Sequence, residues 1–526
     1  MQFIQGSNRS QALLFPESLD QVVDQDNEVR LIDLFVDSIK LSDFQFTIKQ
    51  TTEGRPAYHP KDLLKLFIYG YLNSMRSSRV LEKECIRNVE VMWLMKQLAP
   101  DHNTISNFRR DNEKAIRKVF RYTVSIAKQF ELIGGKLIAG DSTKLRAQNS
   151  KKNNFNQKKI ENHLAYIDHK LSEYNNAMAA ADGDEQNQRM IEEHIQRHET
   201  RKAFYHELRD ELERSGEVQI STSDPDSRQL ITRNNITEVG YNIQTTVDDD
   251  HKLLIDYKVT NVNDSKAMGA MLRRAEVILG THEFTALYDK GYHTGSELKI
   301  AVERGIDMMV AIPDISSASM APDPAYNVSE FYYNKEQHTY TCPQGQILRT
   351  NNSWYKKDRN APGRKKNAPI LVQHFKTSAC KTCPALNLCT KNTRGRGRVI
   401  ERSEFQDYVD QNKANIEAKP EVYKKRQAII EHTYGIIKRQ WGFYFISTKR
   451  GIRKASSEAG FIFTAFNLRR LFNILDKNEL KRFLGSFALF FSSKIMRNAA
   501  HLSPLLIFRY SSLKKSPYRY RVSFRF

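Results

Sequence analysis

Cysteine is scarce in this chain, acidic residues are outnumbered by basic ones, and no apolar run is long enough to cross a bilayer. Five cysteines in 526 residues exclude a disulfide framework and leave metal binding or isolated core thiols. The longest apolar stretch near the end, Phe487 to Phe491, falls far short of the roughly 20 residues a membrane helix needs. The opening MQFIQGSNRSQALLFPESLDQ lacks a charged region followed by a long apolar one, so no secretory signal or membrane association is expected, and the protein reads as soluble and cytoplasmic. The 82 Lys and Arg against 61 Asp and Glu leave a net charge of +21, which favours a polyanionic partner over an acidic small substrate. A hydrophobic fraction of 40% is enough to bury real cores, and the length suggests three or four units.

From about Arg55 to Phe130, helical apolar periodicity alternates with short polar breaks, which predicts a helical domain over residues 1–130. Within it, Asp101 and Asn103 to Ser106 can cap a helix whose early residues include Asn107, Arg109 and Arg110. A helix-turn-helix uses that arrangement to push a basic helix into the major groove of DNA. An ordinary capped bundle helix with a solvated basic face is the competing reading. The apolar run Lys136 to Asp141 reads as a buried strand ending on an acid. Residues 151–215 are highly charged, with Ile160, Leu164, Ile167, Leu171 and Tyr174 spaced by four and three, and a second such stretch follows the polar break at Asp182 to Gln186. This predicts a helical hairpin inserted between strands.

Tyr241 to Val247 and Leu253 to Val259 flank a polar turn and read as antiparallel strands. Phe284 to Asp289 is another short strand ending on an acid, followed by a helix from Gly295 to Arg304 and a strand from Asp307 to Ile312. The core is therefore α/β, around a mixed sheet. Residues 316–402 read as a polar, loop-rich, Cys-bearing insertion, and helical periodicity returns from Val422 to Leu475.

Two acids at strand ends and a third on a later helix can converge at a sheet edge and hold a pair of divalent ions for in-line phosphoryl transfer. An apolar run ending in Asp is by itself weak, since most such acids cap or are simply solvated. The surrounding residues carry more. Asp141 stands in GDSTKLRA and Asp289 in YDKGYHTGSEL, with GYNIQTTVD and YKVTNVNDS between them, and Glu431 stands in YKKRQAIIEHTYGIIKRQWG. In this order the motifs resemble those of insertion-sequence DDE transposases of the IS4 and IS5 type, and most narrowly the IS1182 group. The resemblance covers about Arg55 to Leu475 and rests on Asp289, Gly291 and Tyr292 for the second motif. For the last it rests on Tyr423, Arg426, Glu431 and Lys438.

That resemblance implies a ribonuclease H-like mixed-sheet catalytic core over residues 131–475, carrying the 151–215 hairpin and the 316–402 insertion. It also implies Asp141, Asp289 and Glu431 as catalytic carboxylates on two Mg²⁺ ions. The partners would be DNA, both element ends and target, with terminal inverted repeats bound by a homodimer. One spacing departs from the family: four residues separate Arg426 from Glu431 where three are usual, so Arg426 is left outside the expected site. Glu431 and Lys438 are seven steps apart, which on an α-helix returns both to nearly one face and points Lys438 at a phosphate beside the ions. Tyr434 and Trp441 are candidates to stack on an unpaired base, with core packing the alternative for Trp441. A transposase-derived DNA-binding protein that has lost catalysis, or a two-metal nuclease that cuts without joining, are the alternative functions.

Cys342, Cys380, Cys383 and Cys389 form a second constellation, whose CxxC spacing suits a thiolate pair on structural Zn²⁺, with reduced, metal-free cysteines as the alternative. Basic residues around it (Arg364, Lys365, Lys366, Lys381, Lys391, Arg394, Arg396, Arg398) suit phosphate contact. Cys85 reads as plain core. Within the tail 476–526, the residues after Glu479 include ten Lys and Arg and no acid, with interleaved aromatics, and the tail reads as a nucleic-acid contact or a disordered extension.

Overall fold

The computed structural model describes residues 18–47, 56–180, 184–231, 236–314, 319–359, 368–392, 397–448 and 450–492. The N-terminal stretch before Ser18, Asp182 and Gly183 of the polar break, the basic residues Arg364, Lys365, Lys366, Arg394 and Arg396, and the tail from Ser493 lie outside them.

The N-terminal part is helical: α1 (Leu19–Val22), α2 (Glu28–Asp37), α3 (Leu41–Phe44), α4 (Pro60–Leu72), α5 (Ser78–Arg87), α6 (Val89–Leu94), α7 (His102–Asp111) and α8 (Glu113–Gln129). Local chemistry explains the starts. Pro60 opens α4 where its missing N–H costs nothing, and Asp101 caps α7 by accepting from the backbone of Asn103 and Thr104 at 2.9 and 3.1 Å, as its position predicts.

Strand β1 (Leu137–Arg146) follows. A short antiparallel pair, β2 (Asn154–Asn156) and β3 (Gln219–Ser221), then clamps the base of a hairpin of α9 (Gln157–Ala180) and α10 (Glu185–Ser215). The predicted seam is there: Ile160, Leu164 and Ile167 bury against Tyr205, Leu208 and Leu212. Next come β4 (Arg228–Ile231), β5 (Thr237–Asp248), β6 (Leu254–Thr260), α11 (Met268–Leu279), β7 (Thr285–Tyr288), α12 (Gly295–Glu303) and β8 (Asp307–Val310). The sheet runs β4-β5-β1-β7-β8, with β6 also paired to β5. β1 is antiparallel to β5 and parallel to β7, so the sheet is mixed and β1 lies inside it. Its Ile138, Ala139 and Gly140 are buried, as befits a strand inside the sheet, while Asp141, Ser142 and Lys144 are half-buried.

The Cys-bearing segment is more ordered than its polar composition suggests. It builds two three-stranded antiparallel sheets, β9 (Tyr332–Asn334), β10 (Thr339–Thr341), β11 (Ile347–Arg349) and β12 (Tyr355–Lys357), β13 (Ile370–Phe375), β14 (Ile400–Ser403), with the one-turn α13 (Leu386–Cys389) between the last two strands. These strands are too short for periodicity to register. The helical end is α14 (Gln406–Ala418), α15 (Pro420–Tyr434), a π-helical turn at Gly435–Gln440, α16 (Ile452–Ile474) and α17 (Lys477–Ser492).

α16 is buried almost all round and packs on α4, α8 and β6. Its Asn467 side chain accepts from the Leu254 backbone N–H (3.1 Å) and donates to the Leu254 carbonyl (2.8 Å) and Thr123 (3.0 Å). Its fully buried Glu458 accepts from Ser447 and Thr448 and pairs with Arg76, which offsets the cost of burying that charge. One hydrophobic core thus runs from Val23 to Leu484, so packing shows no break at residue 130. No helix among the described residues is long and apolar enough to cross a membrane.

Candidate active site

Two strand pairings bring the first two acids together. Antiparallel register sets Asp141 opposite Thr245, and parallel register sets Ala139 beside Leu287, so the chain leaving β7 through Tyr288 and Asp289 runs next to Gly140 and Asp141. Gly140 is required there. A Cβ on it would fall 2.0 Å from the ring of Tyr288, which lies across this point of β1. Asp141 is not the end of its strand, as the apolar run suggested. β1 continues to Arg146, because Ser142 to Arg146 also pair along β5 and the strand end is extended by the chain at Tyr444 and Ile446.

The Asp141 carboxylate accepts from the Ser142 N–H at 2.6 Å and from Arg426 Nη1 at 3.2 Å, with its side chain one-fifth exposed. Burial, then the negative charge of Asp289, pushes its pKa up to about 6; Asp264 adds to this, while the Ser142 N–H and Arg426 oppose it. Asp289 caps the turn Lys290–Tyr292, accepting from Gly291 N–H at 2.9 Å. Beneath the site, the Tyr434 hydroxyl donates to the Asp141 carbonyl at 3.2 Å and meets the Thr245 hydroxyl. Tyr423 donates to the Tyr288 carbonyl at 3.1 Å.

α15 lies against β1, and it presents Arg426 rather than Glu431 to Asp141. At about 100° per residue, Glu431 sits roughly a quarter turn from the inward line of Tyr423, Arg426, Ile430 and Tyr434. It is exposed, accepting from Gln427 at 2.9 Å. The expected shared face of Glu431 and Lys438 does not form as argued, because the π-helical turn from Gly435 changes the winding between them. Lys438 instead donates to the Lys144 carbonyl at 3.2 Å. Tyr434 is likewise corrected from base stacking to bracing: its hydroxyl is engaged under β1. Trp441 is half-buried, edge-on to Phe443 and Phe466, and borders a cavity of about 320 Å³ with Arg469 and Arg470 in its wall.

On α7 the three expected DNA contacts part company. Arg109 is a correction: it is 5% exposed, bonded to the Tyr71 hydroxyl and the Arg76 carbonyl at 3.0 Å each, with its guanidinium over the Phe67 ring. It cannot reach a phosphate from the core. Arg110 is exposed, its guanidinium forked onto Asp111, and Asn107 is half-buried.

Sequence reasoning missed Asp264, whose Oδ1 accepts from Asn242 and Gln244 at 2.7 Å each and whose Oδ2 lies 3.7 Å from Lys144. The available signal was an acid just past a strand in TNVNDS, the same signal that drew attention to Asp141 and Asp289. It also set aside Arg426 on spacing alone. Among the described residues, no group of three or more His, Cys, Asp or Glu side chains is arranged to hold an ion. The negative charge of Asp289 is felt at Asp141, and Arg426 is the positive group paired with Asp141 among the described residues; carboxylates are the donors a hard divalent cation takes.

Residues 17–111 match the family model described as Transposase domain (DUF772), and residues 341–472 match Transposase DDE domain. No curated protein matches the chain. Among solved structures, one match is the cryo-EM structure of the piggyBac transposase synaptic complex with hairpin DNA. It is 9% identical, with a TM-score of 0.26 over 91% of this chain and 83% of that one.

Proposed function

We propose that this chain, which carries the paired transposase domains of an insertion-sequence DDE transposase, binds the terminal inverted repeats of its element and cuts and joins DNA at the site around Asp141. The observation that carries the reading is the juxtaposition of Asp141 and Asp289 by two strand pairings, with α15 across them. The mixed sheet with β1 inside it supports a ribonuclease H-like core over residues 131–475.

Asp141, Asp289 and Glu431 are the residues that would hold Mg²⁺. Bound there, two such ions would supply activation of an attacking oxygen and stabilisation of the leaving one. The chain's own contribution is position. Thr245 and Tyr434 fix the backbone of Asp141, Gly291 fixes the Asp289 carboxylate, and Arg426 keeps Asp141 charged beside its neighbour. Glu431, exposed and held by Gln427, would have to turn inward to join them. The chemistry exchanges one P–O bond for another: a water oxygen displaces the 3′ oxygen at the element end, and the freed 3′-hydroxyl then displaces a 3′ oxygen of the target. Arg110, Asn107 and the excess of basic residues supply phosphate contacts. Synapsis of two ends requires at least a dimer on DNA.

Purified protein with Mg²⁺ and labelled DNA bearing the element's terminal repeats tests this. Joined products support transposition; cuts alone indicate a nuclease, and retention without cutting a DNA-binding relic. Asp289→Ala should lower cleavage by at least about 100-fold while leaving DNA retention intact. Light scattering that finds only monomers on paired ends refutes the dimer.

A further inference from the structure

The four cysteines after β10 arrive from three separate pieces of chain. Cys342 follows β10 in the turn CPQGQ, Cys380 lies within the 3₁₀ turn Ser378–Thr382 with Cys383 just after it, and Cys389 ends α13. All four line one cavity of about 20 Å³, closed by Phe331, Leu348 and Arg398 among others. That volume is about one water-sized sphere, too small for an organic ligand. None of the four is in a disulfide.

The surroundings are built for thiolates. The Gln346 N–H donates to Cys342 Sγ at 3.3 Å, in a turn closed by Gly345 in the left-handed region (φ 74°). Gly397, also left-handed (φ 75°), lies so close to Cys380 that a Cβ on it would fall 2.5 Å from the cysteine Cβ. The next residue, Arg398, brings its guanidinium to the Cys389 carbonyl at 3.2 Å, and its Nε is buried without a hydrogen-bond partner in the structure. A positive group there suits a cluster whose four sulfurs, once ionised on a divalent ion, carry a net charge of −2.

We propose that Cys342, Cys380, Cys383 and Cys389 bind one structural Zn²⁺ as thiolates, pinning the turn after β10 to the segment 378–389. Binding exchanges four S–H protons, released to solvent, for four Zn–S bonds, with no change of oxidation state. The sulfurs, not yet arranged around an ion, close inward on it. The need is clear from the packing. Among the described residues, the buried core shared by β9–β11 and β13–β14 is Phe331, Tyr340, Leu348, Phe375 and Ile400, with Tyr333, Cys342 and Cys389 against its edge. Cores that small are usually supplemented by a metal or disulfides.

The test is elemental analysis of the full-length protein, purified in reductant without chelator. One zinc per chain is expected, falling to near zero in the Cys380→Ser/Cys383→Ser variant and unchanged in Cys85→Ser, whose thiol lies in the helical core. Should the double variant be insoluble, the wild type decides. Replacing zinc by Co²⁺ should give the strong thiolate charge-transfer absorption of a tetrahedral sulfur site, lost on adding a mercurial reagent. Folded wild-type protein without zinc and with all four thiols freely reactive would overturn the proposal, as would peptide mapping that finds them in disulfides.

Discussion

Arg426 Nη1 lies 3.2 Å from Asp141 Oδ2, joining the helix that carries the third expected acid to the strand that carries the first. The pair is four-fifths buried on both sides, and it offsets the repulsion between Asp141 and the neighbouring acids.

Arg426→Ala should therefore lower stability by about 1 kcal/mol in metal-free buffer, because Asp141 is left crowded without a counter-charge. Mg²⁺ should restore more stability to this variant than to wild type. Thermal melts with and without Mg²⁺ check this; an equal metal response in both proteins would detach Arg426 from the site.

His293 gives a pH dependence. Burial holds its pKa below the ordinary 6.5, and its Nε2 is buried without a hydrogen-bond partner in the structure. As pH falls below 6.5 the unfolded chain takes up a proton here before the folded chain does, so the unfolded state binds more protons and stability is lost. His293→Gln should flatten the drop in melting temperature between about pH 7.5 and 5.5, as read by melts across that range.

Gly140→Ala forces a methyl into the Tyr288 ring, with an expected loss of about 1–3 kcal/mol. Combined with Tyr288→Ala, the loss should be smaller than the sum of the two single changes, because the clash is shared. Denaturant midpoints of the four proteins settle the comparison.

Arg109 and Arg110 should separate cleanly. Arg109→Ala is expected to destabilise the helical region by about 2 kcal/mol or more, since it leaves buried partners unsatisfied. Arg110→Ala should leave the melt within about 0.5 kcal/mol and reduce the salt dependence of DNA binding by about one unit of slope. Equal stability loss in both would refute the inward and outward assignment.

Where a segment's periodicity was long, the sequence was readable. The hairpin seam through Ile160, Leu164 and Ile167, the antiparallel pair around Tyr241 and Leu254, and the Asp101 cap are found where their patterns put them. What stayed hidden depends on contacts distant in the chain. Asp141 looked like a strand end because Ser142, Thr143 and Lys144 are polar, yet β5 pairs with them about 100 residues later. Arg109 looked solvated because its partners, Tyr71, Arg76 and Phe67, come from other helices. The face shared by Glu431 and Lys438 assumed unbroken α-helix, and no residue between them announces a π turn. Arg426 was discounted by counting residues, although its contact with Asp141 is set by which side of α15 meets β1.

The central position of α16 also governs when this protein can exist as a folded species. Helices α4 and α8 bury against a partner that leaves the ribosome about 320 residues after α8 does. At roughly 5–20 residues per second, that is on the order of tens of seconds during which the nascent apolar faces have no mate. β1 waits as well for β5, with the hairpin zipping up in between as a local, fast-forming unit. A ribosome that stops before Ile474 therefore releases aggregation-prone chain rather than a fragment with a formed acid site. The Asp141 site is completed in one late step, when α16 closes over the strands and helices made before it.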